Sequence, residues 1–175
     1  MFFSLYIDGS GNKFIRILLL TLCLLISACG GSSSSEDSTD SSIVIPTVSS
    51  NTSWFLQLQG SYDLSVNTEL YELDLFDAQI SQVSTLKNNG VFVVCYFSAG
   101  SFEDWRDDAS SFTQSDIGQA LDNWPGEYWL DTRSENVRAV LKNRIQLAKS
   151  KGCDAVDPDN VDGFLQTTGF NITAS

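Results

Sequence analysis

The chain has 175 residues, of which 42% are hydrophobic, and its formal net charge is −12 at pH 7. It lacks the Lys and Arg clusters that bind phosphates, so we expect no nucleic-acid partner and favour a neutral or cationic ligand. It also contains no histidine, which excludes a Ser-His-Asp triad, a His-ligated zinc ion and an imidazole base within this chain. Proton transfer therefore falls mainly to carboxylates.

The amino end has the three parts of an export signal. Lys13 and Arg16 precede the apolar run Ile17–Ile26, and small residues lead up to Cys29. This pattern predicts a signal peptide over residues 1–28 with a bacterial lipobox, in which Cys29 is lipidated and becomes the first residue of the mature chain. We therefore expect an exported lipoprotein anchored on the periplasmic or outer-membrane face; a transmembrane helix or a plain secretory signal are the alternatives.

The next segment, residues 29–53, is rich in Ser, Gly, Thr and Asp and has no aromatic residue. It cannot bury enough apolar surface to offset the entropy of ordering. We predict a flexible linker that holds the following domain away from the membrane.

From Trp54 onward, short apolar runs alternate with helical patterns. Val91–Phe97 (VFVVCYF) is almost continuously apolar, which is typical of a strand buried on both faces of a parallel sheet. Ser134 is a suitable helix N-cap, and Gly152 follows as a C-terminal stop. The patterns predict strands at Trp54–Leu58, Leu70–Phe76, Val91–Phe97 and Cys153–Asp157, and helices at Ala78–Lys87 and Ser134–Lys151.

Alternating strands and helices predict an α/β fold with a parallel sheet, and we favour a (β/α)8 TIM barrel. A doubly wound sheet is the alternative, but the sequence has no Gly-rich phosphate turn. A complete barrel needs about 250 residues and eight strands. Residues 54–175 are about half that length and contain only the four predicted strands. We therefore expect the first half of a truncated barrel.

The densest group of acids follows the last predicted strand. The sequence GCDAVDPDNVDG over Gly152–Gly163 holds four Asp residues and one Asn, namely Asp154, Asp157, Asp159, Asn160 and Asp162. Charges packed so closely repel one another and are costly to desolvate, which favours a ligand site or proton chemistry. A solvated acidic loop is the alternative. The pattern fails that of a calcium loop, since Val161 stands where a ligand is needed.

A second motif, CYFSAGSFEDWR, runs over Cys95–Arg106. Its small residues allow a substrate to approach the backbone closely, and its Arg can hold a neighbouring carboxylate in the ionised state. The alternative is a helix start capped by Ser101, with Glu103 favoured by the helix dipole. Tyr96 is either a core residue or a site hydroxyl.

A third motif, NWPGEYWLDTR, runs over Asn123–Arg133. Trp124 and Trp129 offer flat apolar faces on which sugar rings pack, while neighbouring Asp and Arg side chains can bind hydroxyls. Aromatic side chains that simply stabilise a core and a Pro-Gly turn are the alternative. The two cysteines of the domain, Cys95 and Cys153, can form a disulfide in an exported protein or remain as buried thiols.

These motifs, together with WFLQLQG and LDLFD, strongly resemble the endo-α-1,4-polygalactosaminidase family, glycoside hydrolase family 114. The resemblance runs from Trp54 to about Thr173. It implies a (β/α)8 barrel that cleaves galactosamine-containing exopolysaccharide. We expect no cofactor and no metal. The resemblance also implies a catalytic Asp at the end of the fourth strand and a Glu supplied later, for which this sequence has no matching position.

Carried across, the resemblance makes Asp159 the catalytic candidate, with Asp157 and Asp162 as rivals. Many members have Glu at the position of Asp157. Two-carboxylate hydrolysis of a glycoside needs no histidine, in agreement with the composition. The predicted substrate-binding residues are Asp74, Tyr96, Ser98, Glu103, Arg106, Trp124, Trp129, Asp131, Asn160 and Asp162. The alternatives are a truncated non-catalytic remnant, a carbohydrate-binding lipoprotein and a structural lipoprotein.

Overall fold

The computed structural model describes residues 48–174. The predicted signal peptide, Cys29 and the predicted linker up to residue 47 lie outside the described residues. Seven strands are present in this range: β1 Trp54–Gln57, β2 Leu70–Asp74, β3 Phe92–Ser98, β4 Ser101–Glu103, β5 Ile117–Ala120, β6 Glu127–Leu130 and β7 Ala155–Asp159. The two α-helices of this range are α1 Ile80–Asn88 and α2 Glu135–Lys151, and short 3₁₀ turns cover Ala109–Ser111, Gln114–Asp116 and Gly163–Leu165. None of its helices is long and apolar enough to cross a bilayer.

Four strands form a parallel sheet in the order β1-β2-β3-β7. Helix α1 connects β2 to β3, and α2 precedes β7, which is the βα alternation that the sequence predicts. The α/β class and the partial (β/α)-barrel architecture are thereby confirmed. Within the described residues the sheet is open, with β1 and β7 as its edges.

The ends of helix α2 follow from its capping residues. The Ser134 hydroxyl oxygen accepts a hydrogen bond from the Val137 amide, and Gly152 ends the helix in the left-handed region at φ +87°. Strand β7 then begins two residues later than predicted, at Ala155. As a result Asp157 and Asp159 lie within the strand, and Pro158 is tolerated because β7 is an edge strand of this sheet.

The two faces of the parallel sheet have different environments. Side chains at alternating positions of β2 and β3, including Tyr71, Leu73, Val93, Cys95 and Phe97, are buried with residues of α1 and α2 in the main core. We call this the covered face. The residues between them form the open face, on which Phe92 and Val94 are only half-buried. The expectation that β3 is buried on both faces is therefore wrong for the described residues, because no second layer lies on the open face.

A second, antiparallel sheet in the order β4-β6-β5 was not predicted. Its first strand occupies Ser101–Glu103, so the interpretation of this segment as a helix start is wrong. The strands are only three or four residues long, and Pro and Gly lie between β5 and β6. Such short strands give too little alternation to be recognised from sequence. The fold also settles the cysteine alternatives, since Cys95 and Cys153 form a disulfide that links β3 to the segment before β7.

Candidate active site

The acidic side chains gather where the parallel strands end. The strand register places Asp74 beside Tyr96 and Tyr96 beside Asp157, and places Ser98 beside Asp159. In-register neighbours in a parallel sheet project from the same face, which here is the open face. The sheet therefore brings together residues that are up to 85 positions apart in sequence, as 159 − 74 = 85.

Asp159 is held by one donor on each carboxylate oxygen. The Tyr96 hydroxyl donates to Oδ2 at 2.9 Å, and the Asn160 backbone amide donates to Oδ1 at 2.8 Å. Burial and this contact with Asp159 both raise the pKa of Tyr96, so its phenol remains a proton donor. The Asp159 side chain is otherwise exposed, and its orientation is fixed while it stays accessible to a ligand.

The backbone after Asp159 is clamped by the turn between β3 and β4. The amides of Ala99 and Gly100 donate to the Asp159 carbonyl oxygen at 2.9 and 3.1 Å. Gly100 packs so closely that a Cβ at this position would overlap the backbone carbonyl of Asn160. Asn160 itself adopts the left-handed conformation at φ +59°. The small residues of the Ser98–Ser101 turn therefore allow the backbone of Asp159 and Asn160 to pack closely against it, in addition to any close approach of a ligand.

Arg106 neutralises two of the predicted site carboxylates. Its guanidinium makes a bidentate pair with Asp74, at 2.9 and 2.7 Å, and a 2.7 Å contact with Glu103. Burial alone would lower the pKa of Arg106, but these hydrogen bonds raise it. The guanidinium also lies 4.7 Å from the centre of the Phe76 ring. Asp74 and Glu103 are both buried, so this network lies beneath the site, and direct contact of these residues with sugar stays a prediction.

A second buried guanidinium was missed in the sequence. Arg144 of α2 is 1% exposed. It pairs with Asp108 at 2.8 and 2.9 Å and donates to the Ser98 carbonyl oxygen at 2.6 Å. It therefore ties the helix to the end of β3. The only sequence signal was a charged residue on the apolar side of α2, four positions after Val140.

Glu72 is a further carboxyl on the open face that sequence reasoning missed. Burial and the neighbouring carboxyl of Asp157 raise the pKa of Glu72 to about 7. The nearby carboxyl of Asp157 thus favours the protonated form of Glu72, because two negative charges at close range repel each other. The alternation of β2 would have placed Glu72 on the same face as Asp74.

A cleft of about 480 Å³ adjoins the Asp159–Asn160 segment. Trp124 lies at its rim and is 60% exposed, whereas Trp129 is only 8% exposed and forms part of its wall. Its remaining lining is largely polar and comprises Gln119, Ala120, Leu121, Asp122, Asn160, Asp162, Gln166 and Thr167. A second cleft of about 300 Å³ shares Trp129 and Asn160 with it.

Of the predicted site residues, only Trp124, Trp129, Asn160 and Asp162 line these clefts, and Asp131 lies outside them. Its carboxylate pairs with Arg133, at 2.9 Å to each oxygen, and this interaction lowers the pKa of Asp131. Arg133 also donates to the Asn171 carbonyl oxygen at 2.8 Å. Among residues 48–174, no group of three or more acidic or Cys side chains is arranged to hold a metal ion.

A parallel β/α sheet with carboxylates at the carboxyl ends of its strands is the arrangement of (β/α)-barrel hydrolases, and paired acids are typical of those that act on glycosides. The chain belongs to the glycoside-hydrolase family GH114, whose family model matches residues 33–175. The predicted family is thereby confirmed.

Two solved structures show how far this likeness extends. The chain is 47% identical to Ega3 of Aspergillus fumigatus, solved as a complex with galactosamine, with a TM-score of 0.68 over 70% of this chain and 49% of that one. It is 19% identical to the glycoside hydrolase domain of PelA from Pseudomonas aeruginosa, with a TM-score of 0.55 over 66% of this chain and 46% of that one. The second match shows the fold alone. None of the curated proteins matches the chain significantly. The chain spans about half the length of these two structures.

Proposed function

We propose that this chain acts in the hydrolysis of an α-1,4-linked, galactosamine-containing exopolysaccharide. The observation that carries the proposal is the fixed Asp159 carboxylate, which is held by Tyr96 and by the Asn160 amide at the carboxyl end of β7. Membership of GH114 supports glycoside chemistry. The galactosamine complex of Ega3, at 47% identity, supports the amino sugar.

In the proposed reaction Asp159 is the nucleophile of a retaining, two-carboxylate mechanism. It attacks the anomeric carbon while an acid protonates the departing glycosidic oxygen, and water then hydrolyses the glycosyl-enzyme bond. The donors from Tyr96 and Asn160 orient the attacking carboxylate. Asp157 is the second carboxyl candidate, since it lies on the same face of the sheet as Asp159.

The cleft beside Asn160 is the proposed binding surface for further sugar units. Trp124 supplies an exposed flat ring and Trp129 a wall, while Asp162 and Asn160 supply polar partners. The lining contains no Lys or Arg, which favours a sugar with a free, positively charged amine over an anionic one. In this proposal Asp74, Ser98, Glu103 and Arg106 hold the site from beneath.

The test is release of reducing ends from a galactosamine polymer by the chain and by Asp159→Asn. Loss of the carboxylate should lower the rate by at least about 100-fold while polymer binding persists. Asp154→Asn is the matched control, because Asp154 lies before the amino end of β7 and pairs with Lys87. Equal rates in the chain and in Asp159→Asn would refute the catalytic assignment.

A galactosamine-binding chain without hydrolytic activity is the second candidate. It is favoured by the open face of the sheet, on which Asp157 and Asp159 are exposed within the described residues. Calorimetry with galactosamine oligomers separates the two candidates, since binding without any product identifies the non-catalytic one. If the chain neither binds galactosamine oligomers nor releases product, the structural lipoprotein is favoured.

We also propose export and anchoring through a lipid on Cys29, on the basis of the sequence pattern that precedes it. Cells that express the chain with radiolabelled palmitate should incorporate label, and Cys29→Ser should abolish it. Label retained by Cys29→Ser would disprove this anchor, whatever the result of the enzyme assay.

A further inference from the structure

A chain of hydrogen bonds leads from the antiparallel sheet to the residue after Asp159. The Asn160 side-chain amide donates to the Ser98 hydroxyl at 2.9 Å, the Ser98 and Ser101 hydroxyls are 2.5 Å apart, and Ser101 donates to Glu127 Oε2 at 2.8 Å. Both serines are buried, and Glu127 is 7% exposed. Contacts in such a poorly solvated setting constrain each other strongly, because an unmade hydrogen bond there is expensive.

The partners around the two serines fix the donor-to-acceptor direction of this series of hydrogen bonds. Ser98 Oγ already accepts from the Ser101 backbone amide at 3.0 Å and from Asn160. Its own proton is therefore available for Ser101 Oγ, and the Ser101 proton goes to Glu127. Glu127 is the terminal acceptor. Burial raises the pKa of Glu127, and the hydrogen bond from Ser101 opposes that rise.

The direction of these hydrogen bonds determines whether the nitrogen or the oxygen of the Asn160 side-chain amide faces Ser98. With Nδ2 bonded to Ser98, Oδ1 is directed away from Ser98, and Asn160 lines both clefts. If the carboxylate of Glu127 were absent, Ser98 could instead donate to Oδ1, and the amide would turn over. A turned amide would offer a donor where the native one offers an acceptor.

We propose that Glu127 is a positioning residue that, through Ser101 and Ser98, orients the Asn160 side chain so that its oxygen accepts a hydrogen bond from a ligand. The matching ligand group is a donor, such as the ammonium or a hydroxyl of an amino sugar. This ligand role rests on the proposed function, whereas the orientation of Asn160 does not.

The orientation is tested by the Asn160 side-chain amide signals in nitrogen-15 NMR spectra of the full chain. Glu127→Ala and Ser101→Ala should each shift these signals and speed their exchange with water by at least about tenfold, because the inward hydrogen bond is lost. Glu127→Gln should restore the wild-type signals, since its carbonyl oxygen can still accept from Ser101. Val137→Ala, a core substitution outside the chain of hydrogen bonds, is the control for general destabilisation.

Galactosamine binding is the second readout. The affinity should fall about five- to tenfold in Glu127→Ala and stay within about twofold of wild type in Glu127→Gln. Unchanged Asn160 signals in both Glu127→Ala and Ser101→Ala would overturn the proposal, and Ser101→Ala alone decides if Glu127→Ala does not fold. If the signals shift as expected but no variant or wild-type chain binds galactosamine, the proposed function fails while the positioning role stands.

Discussion

The two faces of the parallel sheet are built from the same strands, yet they serve different purposes. On the covered face, alternate residues such as Leu73 and Val93 are fully buried against the helices. On the open face, Leu56 is 45% exposed, and Tyr96, Asp157 and Asp159 remain accessible. The covered face therefore stabilises the fold, and the open face carries the candidate chemistry. Alternation of side chains along a strand makes this separation possible.

The open face carries an electrostatic cost that the covered face does not. Its carboxylates lie close together, and the buried charge of Asp74, like that of Glu103 in the antiparallel sheet, is stable only because Arg106 compensates it. Four comparisons test this contrast, taken in decreasing order of the expected change.

The largest effect is expected for Arg106→Met. It leaves Asp74 and Glu103 as buried charges without their shared partner, which should lower the free energy of unfolding by about 3–5 kcal/mol. Urea denaturation measures the change. Arg133→Met is the control, because its pair with Asp131 is exposed on the Arg side and should contribute less than about 1 kcal/mol. Equal losses in the two variants would contradict the contrast.

The next comparison takes one leucine from each face. Leu73→Ala removes a fully buried side chain and leaves a cavity, which should cost about 3 kcal/mol. Leu56→Ala removes a side chain that is 45% exposed and should cost less than about 1 kcal/mol. Thermal or urea unfolding of both variants checks the ratio. A comparable cost at Leu56 would show that the open face is covered in solution.

The disulfide between Cys95 and Cys153 supports the covered face. Replacing both by Ala should destabilise the chain by about 2–3 kcal/mol, because the link closes a long loop with a sequence separation of 58. Reductant should destabilise the wild type by a similar amount and leave the double variant unchanged. A wild type that is insensitive to reductant in the unfolding assay would argue against the bond.

The smallest effect is a pH dependence on the open face. The folded-state pKa of Glu72 is raised from 4.5 to about 7 by burial and by Asp157, so the native state favours protonated Glu72. Stability from this group is present below pH 4.5 and is lost as the pH rises through 7. Glu72→Gln should therefore stabilise the chain by about 1 kcal/mol at pH 8, after allowance for solvent screening, and by almost nothing at pH 4.

Glu69→Gln is the matched control for this pH dependence. Its hydrogen bonds with the Ser53 amide and hydroxyl lower the pKa of Glu69, so its contribution has the opposite sign and is lost as the pH falls. Stability curves between pH 4 and 8 compare the two variants. Stabilisation by Glu69→Gln at pH 8 that matches Glu72→Gln would show a general effect of removing negative charge.

The parallel half of the fold could be predicted because its signals are local. Apolar runs mark β1, β2 and β3, and Ser134 and Gly152 mark the ends of α2 within about one residue. The antiparallel sheet was missed, because strands of three or four residues carry little periodicity and depend on pairing with distant segments. The two-residue displacement of β7 was missed because Pro158 is unusual in a strand and is tolerated only at an edge.

The order of acidic, aromatic and small residues along the sequence was sufficient to predict the family, the α/β class and Asp159 as the central catalytic candidate. The tertiary structure decided which of those residues meet. The ion pairs of Arg106, the effect of Asp157 on the pKa of Glu72, and the hydrogen bonds that lead from Asn160 to Glu127 join segments far apart in sequence. Their formation depends on strand register and on burial, and neither is encoded in the spacing of residues along one segment.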